Sequence, residues 1–221
     1  MIDVSVVIPT CNEGEMPHMT VDSVLDAGPA DEVEVIVDDD GSTDGSCAPY
    51  EDPTGPVRVV AAGGLGVPRA RNLGAEQARG EYVDFLNAHC RVSSNWLDLL
   101  RGSLDMRNVA VAGPSFTRLD QPEPKGCGMR WRNHRLETVW FIPQPSTRPY
   151  EVPFTPGGCQ GFRKSVFNTI GRFDEGFGRW GFQDIEICLR SWLLGRSLRP
   201  RLAHLGDWEE RTARKSPSAK H

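Results

Sequence analysis

Apolar, β-branched runs alternate with stretches of helical period through the first half of the chain. VSVVI (4–8), VEVIV (33–37), VRVVAA (57–62) and EYVDFL (81–86) read as strands, with helices over 17–27 and 67–79. Runs this uniformly apolar, separated by helices, predict a parallel sheet covered on both faces. Ligands of such sheets bind beyond the carboxyl ends of the strands. The informative residues should therefore follow each run directly, in PTCNE, DDDGSTDGS, GGLGVPRARN and NAHC. Further along, SNWLDLLRGSL predicts a helix and NVAVAG a strand. QDIEICLRSWLLG predicts a second helix, with Ile185, Leu189, Trp192 and Leu193 as its apolar stripe and Gly195 as its stop. From 113 to 156 the chain is rich in Pro, Gly and Arg and reads as long loops, with Trp131, Trp140, Phe141 and Tyr150 interleaved for packing or binding.

Composition narrows this picture. With 221 residues, 38% hydrophobic and 25% charged, the chain suits one soluble domain with a sizeable core. Its apolar runs fall short of the roughly 20 residues that cross a bilayer, so no membrane partner is expected. The N-terminus MIDVSVVIPT lacks a basic region and breaks at Pro9, which reads as a first strand rather than a signal peptide. A cytoplasmic protein is expected. Cys11, Cys47, Cys90, Cys127, Cys159 and Cys188 form no CxxC pair and read as reduced thiols. A net charge of -5 argues against nucleic acid as a partner.

The strand-end segments carry the candidate chemistry. Asp38, Asp39 and Asp40 either form a turn with Asx-type hydrogen bonds and a cap at Ser42 or Asp44, or supply a carboxylate that orients a nucleotide. Arg71, near a helix start behind a glycine-rich loop, either holds a diphosphate or pairs with one of those acids. Asp84 falls inside a strand expected to be buried and needs a partner that the sequence does not name. His18, His134 and His221 suggest no role.

Read together, VSVVIPTCNE, VDDDGSTDGS, GVPRARNLGAEQARGEYVDFLNA and FRKSVFNTIGRFDEGFGRWGFQDIEICLR resemble the successive signatures of family 2 glycosyltransferases, in order across about 4–206. The resemblance implies an α/β GT-A fold, with a mostly parallel central sheet flanked by helices in one domain over 1–208. Residues 1–105 would form the nucleotide-sugar-binding half and 106–208 the acceptor half; 209–221 reads as a disordered tail. The resemblance also implies donor-binding roles by position. Pro9 and Thr10, with Glu13 nearby, border the base; Asp40 reads the uracil; Arg71 lies close to base and phosphates. Together they imply a uridine diphosphate (UDP) sugar as donor.

Where the family has Asp-x-Asp, this chain has Asn87, Ala88 and His89. Asn87 and Ala88 would face the donor, and His89 would ligate a divalent ion, with Mn²⁺ favoured over Mg²⁺ because Mg²⁺ prefers oxygen shells. FLNAHC is similar to the Asp-x-His segment of polypeptide N-acetylgalactosaminyltransferases, which implies His204 as a second metal ligand. RWGFQDIEICLR resembles a WGxED segment. On that likeness Asp184 is the general base, Gln183 replaces the usual Glu, and Gly157, Gly158, Trp180 and Gly181 line the acceptor side with the loop around Trp131. An Asp opening a helix is also a common cap.

The implied reaction moves a sugar from a UDP-sugar to an acceptor hydroxyl with metal assistance. Retaining polypeptide transferases have Asn at the position of Asp184, so inversion is expected, on a soluble small-molecule or peptide acceptor. A retaining transferase acting on a peptide and a metal-independent nucleotide-sugar-binding protein remain as alternatives. Nucleotidyl transfer would want a basic residue after the first strand, and PTCNEGEMPH offers none.

Overall fold

The computed structural model describes residues 1–50, 55–118, 121–135, 137–140 and 149–200. Its frame is a seven-stranded sheet. The strands are β1 (Val4–Thr10), β2 (Val33–Asp39), β3 (Val57–Ala61), β4 (Tyr82–Leu86), β5 (Val109–Gly113), β10 (Cys159–Arg163) and β11 (Ser197–Pro200), in the order β11-β5-β10-β4-β1-β2-β3. Pairing is parallel along β4, β1, β2 and β3 and between β11 and β5. β10 runs antiparallel between β4 and β5. The four early strands fall where the apolar runs predict them. β10 does not announce itself, because CQGFR has neither a β-branched run nor clear alternation.

Helices cover both faces, as β-branched strands buried on each side require. Against one face lie α1 (Met16–Ala27) and α3 (Trp96–Leu104), which bury Val21, Val24, Trp96 and Leu100 over Val4, Val6 and Ile8. Against the other lie α2 (Val67–Gln77), α4 (Lys164–Thr169) and α5 (Gln183–Leu193). There Phe85, Phe162, Phe167 and Phe173 pack edge-on or tilted, with Phe85 and Phe173 centroids 4.8 Å apart. No helix among the described residues is long and apolar enough to cross a membrane.

Two expectations change. Among the described residues of 113–156, short antiparallel ribbons stand in place of the expected long loops: β6 (Phe116–Arg118) with β7 (Gln121–Gly126), and β8 (Met129–Trp131) with β9 (Thr138–Trp140); Phe141 lies outside the described residues. The interleaved aromatics fix them, Trp131 lying 5.0 Å from Phe154 and Trp140 lying 5.7 Å from Phe116. The expected stripe of α5 is also misplaced. Leu189, Trp192 and Leu193 are exposed, whereas Gln183, Ile187, Cys188 and Ser191 are buried. Polar anchors at its first turn, where Gly157 N–H and Gln160 Nε2 both donate to Asp184, set the rotation of the helix against apolar burial. His204 and the expected tail at 209–221 lie outside the described residues.

Candidate active site

At the carboxyl ends of β1, β2 and β4 the loops hold one another. Beyond β1, Asn12 and Gly14 adopt left-handed backbone, with φ of 55° and 57°. Their amides donate to Ser42 Oγ at 3.2 Å and Asp44 Oδ2 at 2.9 Å, and Thr43 N–H returns to Asn12 Oδ1 at 2.8 Å. The loop after β2 is therefore a scaffold for the loop after β1. Asp39 supplies the expected turn bond, accepting from Ser42 N–H at 2.7 Å.

Asp38 points away from that turn. It is buried against α2 where Gly74 passes, and a Cβ on Gly74 would collide with its carboxylate. This close approach accounts for a glycine inside a helix, where it would otherwise cost about 1 kcal/mol relative to alanine. Burial pushes the Asp38 carboxyl up to about 8, helped by the charge of Asp40 and opposed by Arg71. Nothing in three consecutive acids distinguishes the buried one. Asp40 accepts from Gly66 N–H at 3.0 Å through Oδ2, and its Oδ1 is buried without a partner. Pro9 and Thr10 lie beside it, Thr10 C=O accepting from Asp40 N–H at 2.8 Å.

The glycine-rich loop brings the two halves of the site together. Gly66 has φ of 88° and lies so near the 178–179 backbone that a Cβ would sit 2.6 Å from Gly178 O. Val67 N–H donates to Arg179 C=O at 2.9 Å. This contact sets the segment carrying Trp180 and Gly181 beside the start of α2. Asn72 secures it from the other side, donating to Phe173 C=O at 2.9 Å and accepting from Phe173 N–H at 3.1 Å.

One turn into α2, Arg71 is 1% exposed. Its Nη2 donates to Asn87 Oδ1 at 3.0 Å and to Gly157 C=O at 2.8 Å, and its guanidinium lies 5.3 Å from the centre of the Phe173 ring. Nε and Nη1 are buried without a hydrogen-bond partner. Burial pulls the Arg71 pKa down, and Asp184 is the largest charge opposing that, followed by Cys159, Cys90 and Asp38. Of the two sequence-based options, pairing with the acids is met only through space: its hydrogen bonds go to an amide oxygen and a main-chain carbonyl.

Gly157 is the next link. Its carbonyl serves Arg71, and its N–H donates to Asp184 Oδ2 at 2.9 Å. A Cβ on Gly157 would lie 2.8 Å from that same oxygen. The order Asn87, Arg71, Gly157, Asp184 is thus a continuous hydrogen-bonded relay from the end of β4 to the start of α5. Gln160, buried on β10, steadies the far end by donating to Asp184 C=O at 3.1 Å and Thr155 C=O at 2.9 Å. Sequence reasoning missed Gln160, since a lone glutamine carries no signal.

Phe182 opens α5 in left-handed backbone (φ 60°), and Gln183 Oε1 accepts from Gly181 N–H at 2.8 Å. Gln183 thus closes the turn that aims Asp184. Gly158 C=O accepts from Asn87 N–H at 3.0 Å, and Gly158 packs too closely on Phe116 to bear a side chain. Trp180 is 82% exposed.

On the β4 loop, Ala88 is buried in the core, so what it can offer a ligand is backbone. His89 is partly exposed, and its Nδ1 faces Glu13 Oε2 at 3.6 Å. Glu13 therefore sits against the metal candidate. Among the described residues no group of three or more His, Cys, Asp or Glu is gathered closely enough to hold a metal.

The sheet order, the reversed β10 and the loops at the parallel strand ends define a mixed α/β fold of the GT-A glycosyltransferase type. The chain belongs to glycosyl transferase family 2, whose family model matches residues 5–171. It is similar to mouse polypeptide N-acetylgalactosaminyltransferase 12, with 32% identity over 150 residues covering 60% of this chain and 26% of that protein. Mouse polypeptide N-acetylgalactosaminyltransferase 10 is 30% identical over 212 residues, covering 86% of this chain and 35% of that protein. The chain thus spans about a third or less of these relatives. Among solved structures, GalNAc-T7 with UDP, GalNAc and Mn²⁺ superposes with a TM-score of 0.77 at 24% identity, over 91% of this chain and 42% of that one.

Proposed function

We propose that this chain is a glycosyltransferase that moves a sugar from a UDP-sugar to the hydroxyl of a soluble small molecule or peptide, with inversion. The observation that carries the reading is the relay ending at Asp184. Its carboxylate is oriented by Gly157 N–H and lies close enough to the buried Arg71 to be the leading charge acting on it. A base for the acceptor hydroxyl and a cation for the departing diphosphate are what such a displacement demands, the first within hydrogen-bond reach of the attacking oxygen.

In this reading Pro9, Thr10 and the unpartnered Asp40 Oδ1 meet the uracil. Arg71 Nε and Nη1, both without partners, offer donors to the diphosphate. Asn87 Nδ2 and the Ala88 backbone face the donor sugar. Gly157, Gly158, Trp180 and Gly181 border the acceptor. His89 fits a divalent ion, because its buried Nδ1 lacks a hydrogen-bond partner. Bound there, Mn²⁺ would supply charge to stabilise the diphosphate.

A second reading, a retaining transferase acting on peptides, is favoured by the polypeptide transferases among the relatives. Asp184 weighs against it, since a positioned carboxylate suits direct displacement. A cytoplasmic location is part of the proposal. Calorimetry with UDP, GDP and CDP, each with and without Mn²⁺, tests the core of it. UDP should bind best, and tighter with Mn²⁺; equal binding of all three, or of none, would contradict the reading.

A further inference from the structure

We propose that Glu13 is a metal ligand, acting with His89 on one divalent ion and supplying the carboxylate that Asn87 no longer provides. The inference rests on the donor reading above, because the remaining positions of the ion are left for diphosphate oxygens, water and the expected His204, which lies outside the described residues. Two protein ligands plus substrate phosphates is an ordinary arrangement for nucleotide-bound divalent ions.

Three observations converge on it. First, Asn87 is occupied elsewhere: its Oδ1 accepts from the Arg71 guanidinium at 3.0 Å. An oxygen turned to a buried cation is a poor ligand for a second one. Second, Glu13 Oε2 lies 3.6 Å from His89 Nδ1, and that nitrogen is buried without a hydrogen-bond partner. The separation is longer than the ~2.7–3.2 Å of an N–H···O hydrogen bond. It is a few tenths of an ångström wider than the roughly 3.0–3.4 Å that separates two ligands held at about 2.1 Å in octahedral or tetrahedral geometry, so a small side-chain shift brings both atoms onto one ion. Third, Glu13 is placed by design of the loops. The left-handed Asn12 and Gly14 on either side are both tied to the 42–44 segment, which turns the residue between them toward the end of β4.

The chemistry of the pair also selects the ion. One imidazole and one carboxylate suit a borderline ion such as Mn²⁺ better than Mg²⁺, which favours oxygen alone. Moving the carboxylate from β4 to the β1 loop keeps one negative ligand in the site while freeing Asn87 to serve Arg71.

The test is Mn²⁺ binding, read by electron paramagnetic resonance of the free ion, with and without saturating UDP. Glu13→Gln and His89→Ala should each weaken Mn²⁺ binding by at least about tenfold, as loss of a charged or nitrogen ligand does. The double variant should bind little worse than the poorer single one, because both changes strike one ion. Matching thermal melts check that each variant is folded, and Mn²⁺ binding without UDP should weaken in Glu13→Gln as well, which a contact of Glu13 with the base alone would not produce. Glu13→Asp, which keeps the charge on a shorter arm, should fall between. Mn²⁺ binding within twofold of the unaltered protein in Glu13→Gln overturns the inference and leaves the UDP-sugar reading standing. Failure of the unaltered chain to bind UDP overturns that reading instead, while the Mn²⁺ titration without UDP still decides whether Glu13 ligates.

Discussion

The loops proposed to hold the donor and the turn proposed to meet the acceptor lie close together, yet they are built from different materials. After β2, and on α2 after β3, the side chains are fixed by backbone donors or by buried acceptors: Asp39 by Ser42, Asp40 by Gly66, Arg71 by Asn87 and Gly157. Beyond Gly178 the chain is held mainly through glycines and main-chain bonds, and Trp180 and Phe182 project into solvent. A nucleotide is the same molecule for every turnover, so a rigid cradle is repaid in reduced ordering cost on binding. In the proposed acceptor face, the exposed Trp180 and Phe182 side chains are free to vary because little of the fold depends on them. Arg71 and Gly157 join the two, which makes them the positions where stability and activity cannot be separated.

Perturbations should grade along that contrast. Arg71→Ala removes a buried cation and leaves the Asn87 and Gly157 oxygens without their donor; it should cost about 3 kcal/mol or more in urea unfolding and abolish UDP binding. Gly157→Ala pushes a methyl group into the Asp184 carboxylate and should lower turnover about 100-fold, with a smaller loss of UDP affinity.

Stability should also fall as pH rises. The Asp84 carboxyl is raised from an ordinary 3.8 to about 7 by burial, with Arg101 opposing. The folded chain therefore holds this proton over a range where the unfolded chain has lost it. The contribution is fully present below about pH 3.8 and is lost as pH passes through 7, a change on the order of a few kcal/mol. Asp38, raised to about 8, adds a loss of the same sign. Denaturation at pH 5.5 and 8 should reveal this slope, and Asp84→Asn should flatten part of it. At the weak end, Trp180→Ala should leave unfolding within about 0.5 kcal/mol of the unaltered chain while raising the acceptor KM. A large stability loss there would erase the distinction between the two regions.

Much of this architecture is legible in the sequence, for identifiable reasons. The four early strands are apolar throughout because both faces are covered, and the strand-end motifs sit where a parallel sheet must expose them. What escapes is set by distant contacts. β10 is defined by pairing with β4 and β5 rather than by its own pattern, and the ribbons within 113–156 are fixed by Trp131 on Phe154 and Trp140 on Phe116. The stripe assigned to α5 fails because Gln160 and Gly157 anchor Asp184 and so choose which side of the helix faces in. Arg71 is visible as a candidate, but its role as the link between Asn87 and Gly157 depends on residues 16 and 86 positions away. Asp84, which lacked a named partner, has the charge of Arg101 acting on it and carries a raised pKa, while its Oδ1 remains without a hydrogen bond.

The most direct measurement is UDP release from a panel of UDP-sugars by the Asp184→Asn variant beside the unaltered chain, with UDP affinity measured in parallel. The side chain keeps its size and its acceptor oxygen toward Gly157 N–H, so donor binding should hold within about twofold while turnover falls roughly 100-fold or more, the usual share of a general base. Turnover surviving within a few-fold would show that Asp184 is not the base and that the relay ending on it serves the fold alone.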